Sequence, residues 1–246
     1  SIEPQDGAVS DLVPGVTPVS KPVPDMLEPA PGEPGHNLPK PGPAGQLARN
    51  IYAAAVPAVP ATNARVGILL DGYGLSEEMS LNAARTLPAM VSFAVSTYAP
   101  ARPALSEVAR KRGHEVFLSL PMQPSTAPMD DEGPRALGYD HSETVDRDNL
   151  RWALSRFDGY VGVTNAFSGL DGDAYAQSPD FQMVSRELNQ RGLLYLNATP
   201  TAQRLGPAPG GAAAMTLDTA ADAAGTPGQV HHLVPLAKPT DPAIAL

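Results

Sequence analysis

Short apolar runs alternate with longer amphipathic stretches between residues 66 and 197, and this alternation constrains the fold more than any other feature. Runs typical of buried strands occupy 66–70, 90–95, 115–120, 160–163 and 193–196. Helical patterns occupy 76–87, 103–112, 142–157 and 181–190. Strands alternating with helices of this kind are typical of a parallel sheet or barrel with helices outside. The sequence therefore predicts an α/β fold.

Local signals predict where these helices begin and end. Ser76 precedes the first helix as an N-cap, and Pro88 stops it. Gly113 and Gly192 follow the second and the last helix, where glycine commonly ends a helix. The expected buried residues of the helix at 142–157 are Val145, Leu150, Trp152 and Leu154.

Polar residues follow four of the predicted strands. They are Asp71, Ser119, Asn165 and Asn197. In parallel α/β folds, ligands bind at the carboxyl ends of the strands, because these ends meet at one edge of the sheet or one face of the barrel. We therefore expect these four side chains to lie near one another at any binding site.

The first part of the chain has a different composition. Thirteen of the 28 prolines fall within the first 60 residues. Proline lacks a backbone N–H, so residues 1–44 are expected to be an extended arm without a helix or a strand ladder. Residues 45–63 are interpreted as a linker and 64–246 as the folded domain. An extended arm of this kind docks at low entropic cost, so we expect it to contact other protein subunits.

Composition excludes several classes of function. The formal charge of -9 and pI near 4.9, with no basic stripe in the sequence, argue against a nucleic-acid surface. The absence of cysteine excludes disulfides, thiolate metal ligands and a cysteine nucleophile. No run of about 18 apolar residues is present, so membrane association is expected only through a partner or a missing anchor. The chain begins at Ser1, which fits a processed product or part of a longer chain.

Four segments at the strand ends resemble the divergent polysaccharide deacetylases. They are Ile68-Leu69-Leu70-Asp71-Gly72-Tyr73-Gly74-Leu75-Ser76, the segment from Gly113 to Pro124 that contains Ser119-Leu120-Pro121-Met122-Gln123-Pro124, Gly159-Tyr160-Val161-Gly162-Val163-Thr164-Asn165, and Arg191-Gly192-Leu193-Leu194-Tyr195-Leu196-Asn197. Gly133-Pro134-Arg135 lies in the loop between the second and third. The resemblance implies a distorted (β/α) barrel of the polysaccharide-deacetylase type, preceded by the proline-rich arm.

The resemblance also implies a chemistry, but most of its residues are missing. In active relatives one Asp and two His hold a divalent metal, and a second Asp is the base. Asp71 matches that base, whereas Gly72, Ser119 and Ala166 stand at the three ligand positions. Glycine and alanine have no donor, and a neutral serine hydroxyl is a poor ligand for zinc. We therefore expect no metal cofactor and no hydrolysis by the family mechanism.

Each polar residue also has a structural interpretation. Asp71 is either a vestigial base or a cap for the following loop, and the capping role is favoured. Asn165 and Asn197, the latter at a position where relatives often carry Asp, either contact sugar hydroxyls or stabilise turns. His114 precedes a strand and is expected to be structural. The pair His231-His232 is expected to be coincidental, because adjacent strand residues point to opposite faces.

Four aromatic side chains are candidates for stacking on sugar rings: Tyr73, Tyr98, Trp152 and Tyr160. Tyr73 and Tyr98 are predicted to lie in loops near the barrel mouth. Trp152 lies in a predicted helix and is expected in the core. The vestigial cleft is therefore predicted to contain Asp71, Tyr73, Tyr98, Ser119, Asn165 and Asn197.

Three functions follow as hypotheses. The first is a non-catalytic binding or scaffold subunit of an envelope complex, contacted through the arm. The second is a glycan-binding module that retains the cleft without its chemistry, and the third is an active deacetylase with a rearranged site. The resemblance favours the bacterial periplasm or cell envelope. Residues 206–211 are expected to be a loop and 230–236 to be one more strand. The resemblance implies another strand and a helix after this last strand, so the barrel is either cut short or open at an edge that can bind a partner.

Overall fold

The computed structural model describes residues 12–60, 62–63, 65–100, 102–124, 132–138, 140–166, 174–200, 202–216 and 243–245. The strands are β1 (Leu27–Pro29), β2 (Asn37–Pro39), β3 (Val66–Tyr73), β4 (Val91–Ser96), β5 (Val116–Ser119), β6 (Gly162–Thr164), β7 (Leu194–Asn197), β8 (Gly210–Ala212) and β9 (Ala243–Ala245). The helices are α1 (Ala48–Ile51), α2 (Glu77–Thr86), α3 (Arg102–Lys111), α4 (Glu143–Leu154) and α5 (Phe181–Gln190). Two short 3₁₀ turns span Pro24–Met26 and Tyr175–Gln177.

The main sheet confirms the predicted α/β class. Within the described residues it has seven strands in the order β8-β7-β6-β5-β4-β3-β9, and every neighbouring pair is parallel. The sheet curls into part of a barrel, with a helix following each of β3 to β6. Because every strand points the same way, the carboxyl ends of β3 to β7 lie at the same end of the sheet.

The predicted helix caps are present. Ser76 Oγ accepts a hydrogen bond from the Met79 N–H at 3.3 Å, and Ser142 Oγ accepts one from the Val145 N–H at 3.3 Å. Gly113 and Gly192 follow α3 and α5 with φ of +86° and +75°, in the left-handed region that glycine adopts readily. From these local signals the ends of the helices could be predicted to within a few residues.

Some expectations about the barrel were wrong. Val145 is 44% exposed, because it lies on the outer side of α4, and Trp152 is half-buried, whereas Leu150 and Leu154 are in the core. β3 continues through Asp71 to Tyr73 instead of ending at residue 70. β8 forms within a stretch expected to be a loop, since small residues allow close pairing with β7. A strand predicted at 230–236 lies outside the described residues.

The arm forms a strand ladder, contrary to the prediction. β1 and β2 pair antiparallel, with Leu27 opposite Pro39 and Pro29 opposite Asn37. The prolines stand at the ends of these three-residue strands, where a missing N–H is tolerated. The N–H of Ala30 donates to the carbonyl of His36 at 2.9 Å and that of Lys40 to Met26 at 2.9 Å, which closes the hairpin on both sides.

The arm and the segment after it pack against the barrel and share its hydrophobic core. Six of their side chains are buried in that core: Val19, Met26, Ala30, Leu38, Ala48 and Tyr52. Backbone hydrogen bonds join the two parts, from the Val19 N–H to the Arg110 carbonyl at 2.9 Å and from the Arg49 N–H to the Gly192 carbonyl at 3.0 Å. The half-buried Glu115 carboxylate also accepts from the Ala54 N–H at 3.1 Å. The barrel itself holds this proline-rich segment in place.

Ion pairs reinforce this seam. Glu33 in the arm pairs with Arg156 at 2.6 Å, and Glu28 in β1 pairs with Arg191 at 2.9 Å. Arg191 also donates to the Pro39 carbonyl at 2.9 Å. Both arginines are largely buried, so these pairs are screened less by salt than surface pairs are.

Among the described residues no helix is both long and apolar enough to cross a bilayer.

Candidate functional site

The carboxyl ends of neighbouring strands bring together polar residues that are distant in sequence. Asp71 lies near the end of β3, Thr97 directly after β4, and Ser119 at the end of β5. Asn165 follows β6, and Asn197 ends β7. The four polar residues that the sequence predicted at strand ends therefore all lie at the same end of the sheet. Thr97 was missed, although its position directly after a strand is the same signal.

Asp71 carries the one carboxylate among these five strand-end residues. Its Oδ1 is buried and has no hydrogen-bond partner among the described groups. Burial raises the pKa of the Asp71 carboxyl, and the Gly72 N–H and the nearby Ser119 hydroxyl offset only part of this. The hydroxyl is near enough to stabilise the anion, although neither Oδ1 nor Ser119 Oγ makes a hydrogen bond of normal geometry. Asp71 therefore caps the following loop weakly at best.

Two hydroxyl groups at the ends of β4 and β5 are also unsatisfied. Thr97 and Ser119 are fully buried, and their oxygen atoms have no hydrogen-bond partner in the described part of the chain. Leaving a buried polar group unsatisfied costs about 1–3 kcal/mol. These strand ends thus contain three buried polar groups that ordered water would satisfy, or a ligand rich in hydroxyl groups once the residues that cover them move aside.

Asn165 and Asn197 are bonded to each other. The Asn165 amide donates to Asn197 Oδ1 at 3.3 Å, and Asn165 Oδ1 accepts from the Ala198 N–H at 2.7 Å. Asn197 Oδ1 also accepts from the Thr199 N–H at 2.9 Å. Both side chains are almost completely buried. Their oxygen atoms are engaged in holding the loops after β6 and β7, which is the turn-stabilising alternative.

The residues at the three ligand positions do not fit a metal. Gly72, with φ of +79°, and Ala166 have no side-chain donor, and Ser119 offers only a neutral hydroxyl. Among the described residues no group of three His, Cys, Asp or Glu side chains is arranged to hold an ion. In the part of the chain that the structure describes, Asp71 therefore has no neighbouring donors with which to bind a metal of the kind that the resemblance implies.

The aromatic side chains are placed differently from the prediction. Tyr73 lies in β3 and not in a loop; its ring stacks on Phe93 with centroids 4.5 Å apart, and its hydroxyl donates to the Leu105 carbonyl at 3.0 Å. It is buried and cannot stack on a ligand in this conformation. Tyr98 is half-buried in the loop after β4 and packs against Trp152. Tyr160 is a core residue.

Of the histidines considered as candidates, one lies in the core and two lie outside the described residues. His114 is buried, and its ring nitrogens lie 2.8 Å from the Val91 carbonyl oxygen and 3.0 Å from that of Ala84. It joins α2, β4 and β5 as a structural residue, as expected. His231-His232 lies outside the described residues.

Comparisons with known proteins agree with this architecture. The family model described as divergent polysaccharide deacetylase matches residues 68–246. An uncharacterized protein from Agrobacterium tumefaciens C58 has a similar crystal structure, with a TM-score of 0.77 and 28% sequence identity. The match covers 85% of this chain and 86% of that one. A comparison with curated proteins gives no significant match. Because the family model spans most of the chain, including all but the first two residues of the parallel sheet, the protein belongs to the divergent polysaccharide deacetylases.

Proposed function

We propose that this chain is a non-catalytic member of its family that binds a glycan in the cleft at the carboxyl ends of the strands. The proposal rests on two features that occur together at the carboxyl ends of the strands. The metal-ligand positions hold Gly72, Ser119 and Ala166, while the buried polar groups of Asp71 and Thr97 remain unsatisfied beside Ser119. Polar groups retained at a cost to stability are common where a ligand satisfies them.

The chemistry of the cleft favours binding over hydrolysis. Deacetylation of a sugar amide needs a polarised carbonyl and an activated water, and a single carboxylate of raised pKa provides neither polarisation nor a metal-bound hydroxide. Neutral hydroxyl groups instead match the donors and acceptors of sugar hydroxyls. The name of the family supports a polysaccharide as the ligand class.

A titration with oligosaccharides tests the binding. Chitooligosaccharides, cellooligosaccharides and peptidoglycan fragments are added to the protein, and binding is followed by calorimetry or by NMR shifts. Removing the hydroxyl groups with Thr97→Val and Ser119→Ala is expected to weaken binding about tenfold without loss of stability, because each hydroxyl is unsatisfied in the free protein.

The matched control is Ser106→Ala. Ser106 Oγ is equally buried and without a partner among the described groups, but it lies on α3 and not at a strand end. This change should leave binding intact. If none of the sugars in the panel binds, the glycan proposal is overturned. Stoichiometric bound metal together with acetate release would overturn its non-catalytic part.

A second candidate function is a binding subunit of an envelope complex, and one surface favours it. Val56 and Met90 are 76% and 67% exposed beside a cavity of about 270 Å³ that Val16 and Pro57 also line. Exposed apolar side chains clustered around a proline-rich segment are typical of protein contacts. The surface is formed jointly by the arm at Val16, by the segment after it at Val56 and Pro57, and by the barrel at Met90.

Changing this surface tests the second candidate. Val56→Ser with Met90→Ser is expected to abolish co-elution with a stoichiometric partner purified from the cell envelope, while thermal stability stays unchanged. Met79→Ser, equally exposed on α2, is the control. Cell fractionation tests the envelope location directly. Co-elution that survives the double change, or recovery only from the cytosol, would contradict this candidate.

A further inference from the structure

Two arginines lie against the ring of one tryptophan in α4, and a third arginine, in α3, is hydrogen-bonded to one of them. The Arg156 guanidinium carbon lies 4.8 Å from the centroid of the Trp152 ring, and that of Arg135 lies 5.5 Å from it. The ring of Tyr98 is 5.7 Å from the same indole. Arg102, at the start of α3, donates from Nε to the Arg156 carbonyl at 3.4 Å and from Nη1 to the Ala99 carbonyl. We call these three arginines the arginine cluster.

The arginine cluster has an excess of positive charge in a protein of net charge -9. Glu33, 2.6 Å from Arg156, is the one carboxylate that forms an ion pair with any of the three in the described part. Arg102 and Arg135 have no acidic partner there. Burial and the charge of Arg156 lower the pKa of Arg102, which is the direction expected for cations held together without enough anions.

Arg102 and Arg135 each have guanidinium N–H groups that remain available to a ligand. Arg135 uses Nη1 on the Asn149 side-chain oxygen at 3.4 Å, and Arg102 uses Nε and Nη1 on backbone carbonyls. Other N–H groups of both guanidinium groups make no hydrogen bond to the described residues. Both side chains are half-buried and so reach solvent. The planar guanidinium group matches a carboxylate through two parallel hydrogen bonds, and stacking of Arg135 on Trp152 holds it ready.

The arginine cluster adjoins the cleft. Tyr98 is the residue directly after Thr97. Its hydroxyl oxygen accepts a hydrogen bond from the backbone N–H of Arg135 at 3.3 Å. Gly133, in the loop that carries Arg135, lies so close to Tyr98 that a Cβ there would be 2.7 Å from the hydroxyl oxygen. A chain bound in the cleft and continuing past Thr97 would therefore run over Tyr98 to Arg135 and Arg102.

We propose that Arg102 and Arg135 form a subsite for the carboxylate of an acidic saccharide unit, next to the unit bound in the cleft; this inference rests on the proposed glycan-binding function. Its ligand class is a saccharide with a carboxyl group. Two sources share that chemistry: the lactyl carboxylate of muramic acid and the ring carboxylate of a uronic acid.

Calorimetric titration of the whole chain tests the subsite. The probes are a muramic-acid-containing peptidoglycan disaccharide, an oligouronate, the carboxyl-reduced form of each, and a neutral chitooligosaccharide. Wild-type protein should bind one of the acidic probes about tenfold more tightly than its reduced form, as expected for a charge-assisted bidentate contact. The better acidic probe identifies the source of the carboxylate.

The protein variants are Arg102→Gln and Arg135→Gln, with Arg186→Gln on the exposed side of α5 as the control for lost charge. Each cluster variant should remove the preference for the acidic probe and change binding of the neutral probe less than twofold. If Arg135→Gln lowers the thermal midpoint, Arg102→Gln and the reduced probes still decide the outcome.

The outcomes separate the two proposals. Equal binding of acidic and reduced probes by wild-type protein, with the neutral probe still bound, overturns the carboxylate subsite and leaves the glycan-binding function standing. Binding of none of the probes overturns the glycan-binding function and the subsite with it. An acidic preference that Arg186→Gln removes as strongly as the cluster variants also overturns the subsite, because it would reflect net charge.

Discussion

At the scale of single residues, Asp71 is the one carboxylate among the five polar residues at the strand ends. Its carboxylate is held at a strand end with one oxygen buried and without a partner among the described groups, and burial raises its pKa. A metal beside it would stabilise the charge, but Gly72, Ser119 and Ala166 have no donors suited to this. The charged form of Asp71 is therefore a local cost to stability.

Asp71→Asn should stabilise the protein at neutral pH. A carboxyl whose pKa is raised on folding contributes stability below its unfolded pKa, about 3.9, and that contribution is lost as pH rises through the folded pKa. Asparagine has no such loss, so the variant should be more stable by about 1–3 kcal/mol at pH 7, with a smaller difference near pH 4. Urea unfolding between pH 4 and 8 measures this. A difference independent of pH would contradict it.

Returning donors to the three ligand positions should create a metal site. Gly72→Asp, Ser119→His and Ala166→His together are expected to bind about one equivalent of zinc, because these positions lie near the carboxyl ends of β3, β5 and β6, on the same side of the sheet as Asp71. Wild-type protein should bind none. Equilibrium dialysis followed by metal analysis gives the answer, with the Ser119→His single variant as the control. Failure of the folded triple variant to bind zinc would show that these positions do not converge on one point.

At the scale of elements, the arm is part of the core although its composition resembles that of a solvated linker. Leu38 in β2 is 1% exposed, whereas Leu12 near the start of the described arm is 58% exposed. Leu38→Ala should lower the free energy of unfolding by about 2–5 kcal/mol, as for other buried leucines, and Leu12→Ala by less than about 0.5 kcal/mol. Denaturant titration compares the two. Equal small losses would show that the arm is not packed in solution.

A buried carboxylate joins α4, α5 and the arm. Glu187 is 4% exposed and pairs with Arg151 at 2.8 Å and with Arg191 at 3.0 Å, and Arg191 in turn contacts Glu28. Glu187→Gln should lower the free energy of unfolding by about 3 kcal/mol, because the largely buried guanidinium group of Arg191 and the half-exposed one of Arg151 both lose this anion.

The matched control for that prediction is Glu107→Gln. Glu107 pairs with Lys111 at 2.9 Å on the exposed surface of α3. Exposed pairs of this kind contribute about 0–1 kcal/mol, so the change should be nearly neutral. Thermal or urea unfolding at low and moderate salt measures both. Similar losses for the two variants would show that the Glu187 network is not buried in solution.

At the scale of the whole molecule, the arm, the helices and the sheet share one hydrophobic cluster. Domains with one continuous core commonly unfold in one step. We therefore expect a single unfolding transition in which arm amides, such as that of Val19, gain and lose hydrogen-exchange protection together with those of β4 and β5. Two separate transitions, with the arm released first, would contradict this.

The sequence by itself determined the class of the fold. Alternation of apolar runs and helical patterns is a local signal, so the order of β3 to β7 and α2 to α5 could be predicted to within a few residues at most ends. The sequence also shows which residue types stand at the strand ends, including Gly72, Ser119 and Ala166, and that these have replaced metal ligands stays a prediction.

Only the tertiary structure decided where the arm lies, that Tyr73 is buried, and which arginines meet. The arm's prolines predict an extended chain but not the surface it covers, because that depends on contacts such as Val19 with the barrel. Arg102, Arg135 and Arg156 form no basic stripe in the sequence, yet Trp152 brings them together. Long-range packing has no period along the chain, and this is the physical reason that sequence patterns could not reveal it.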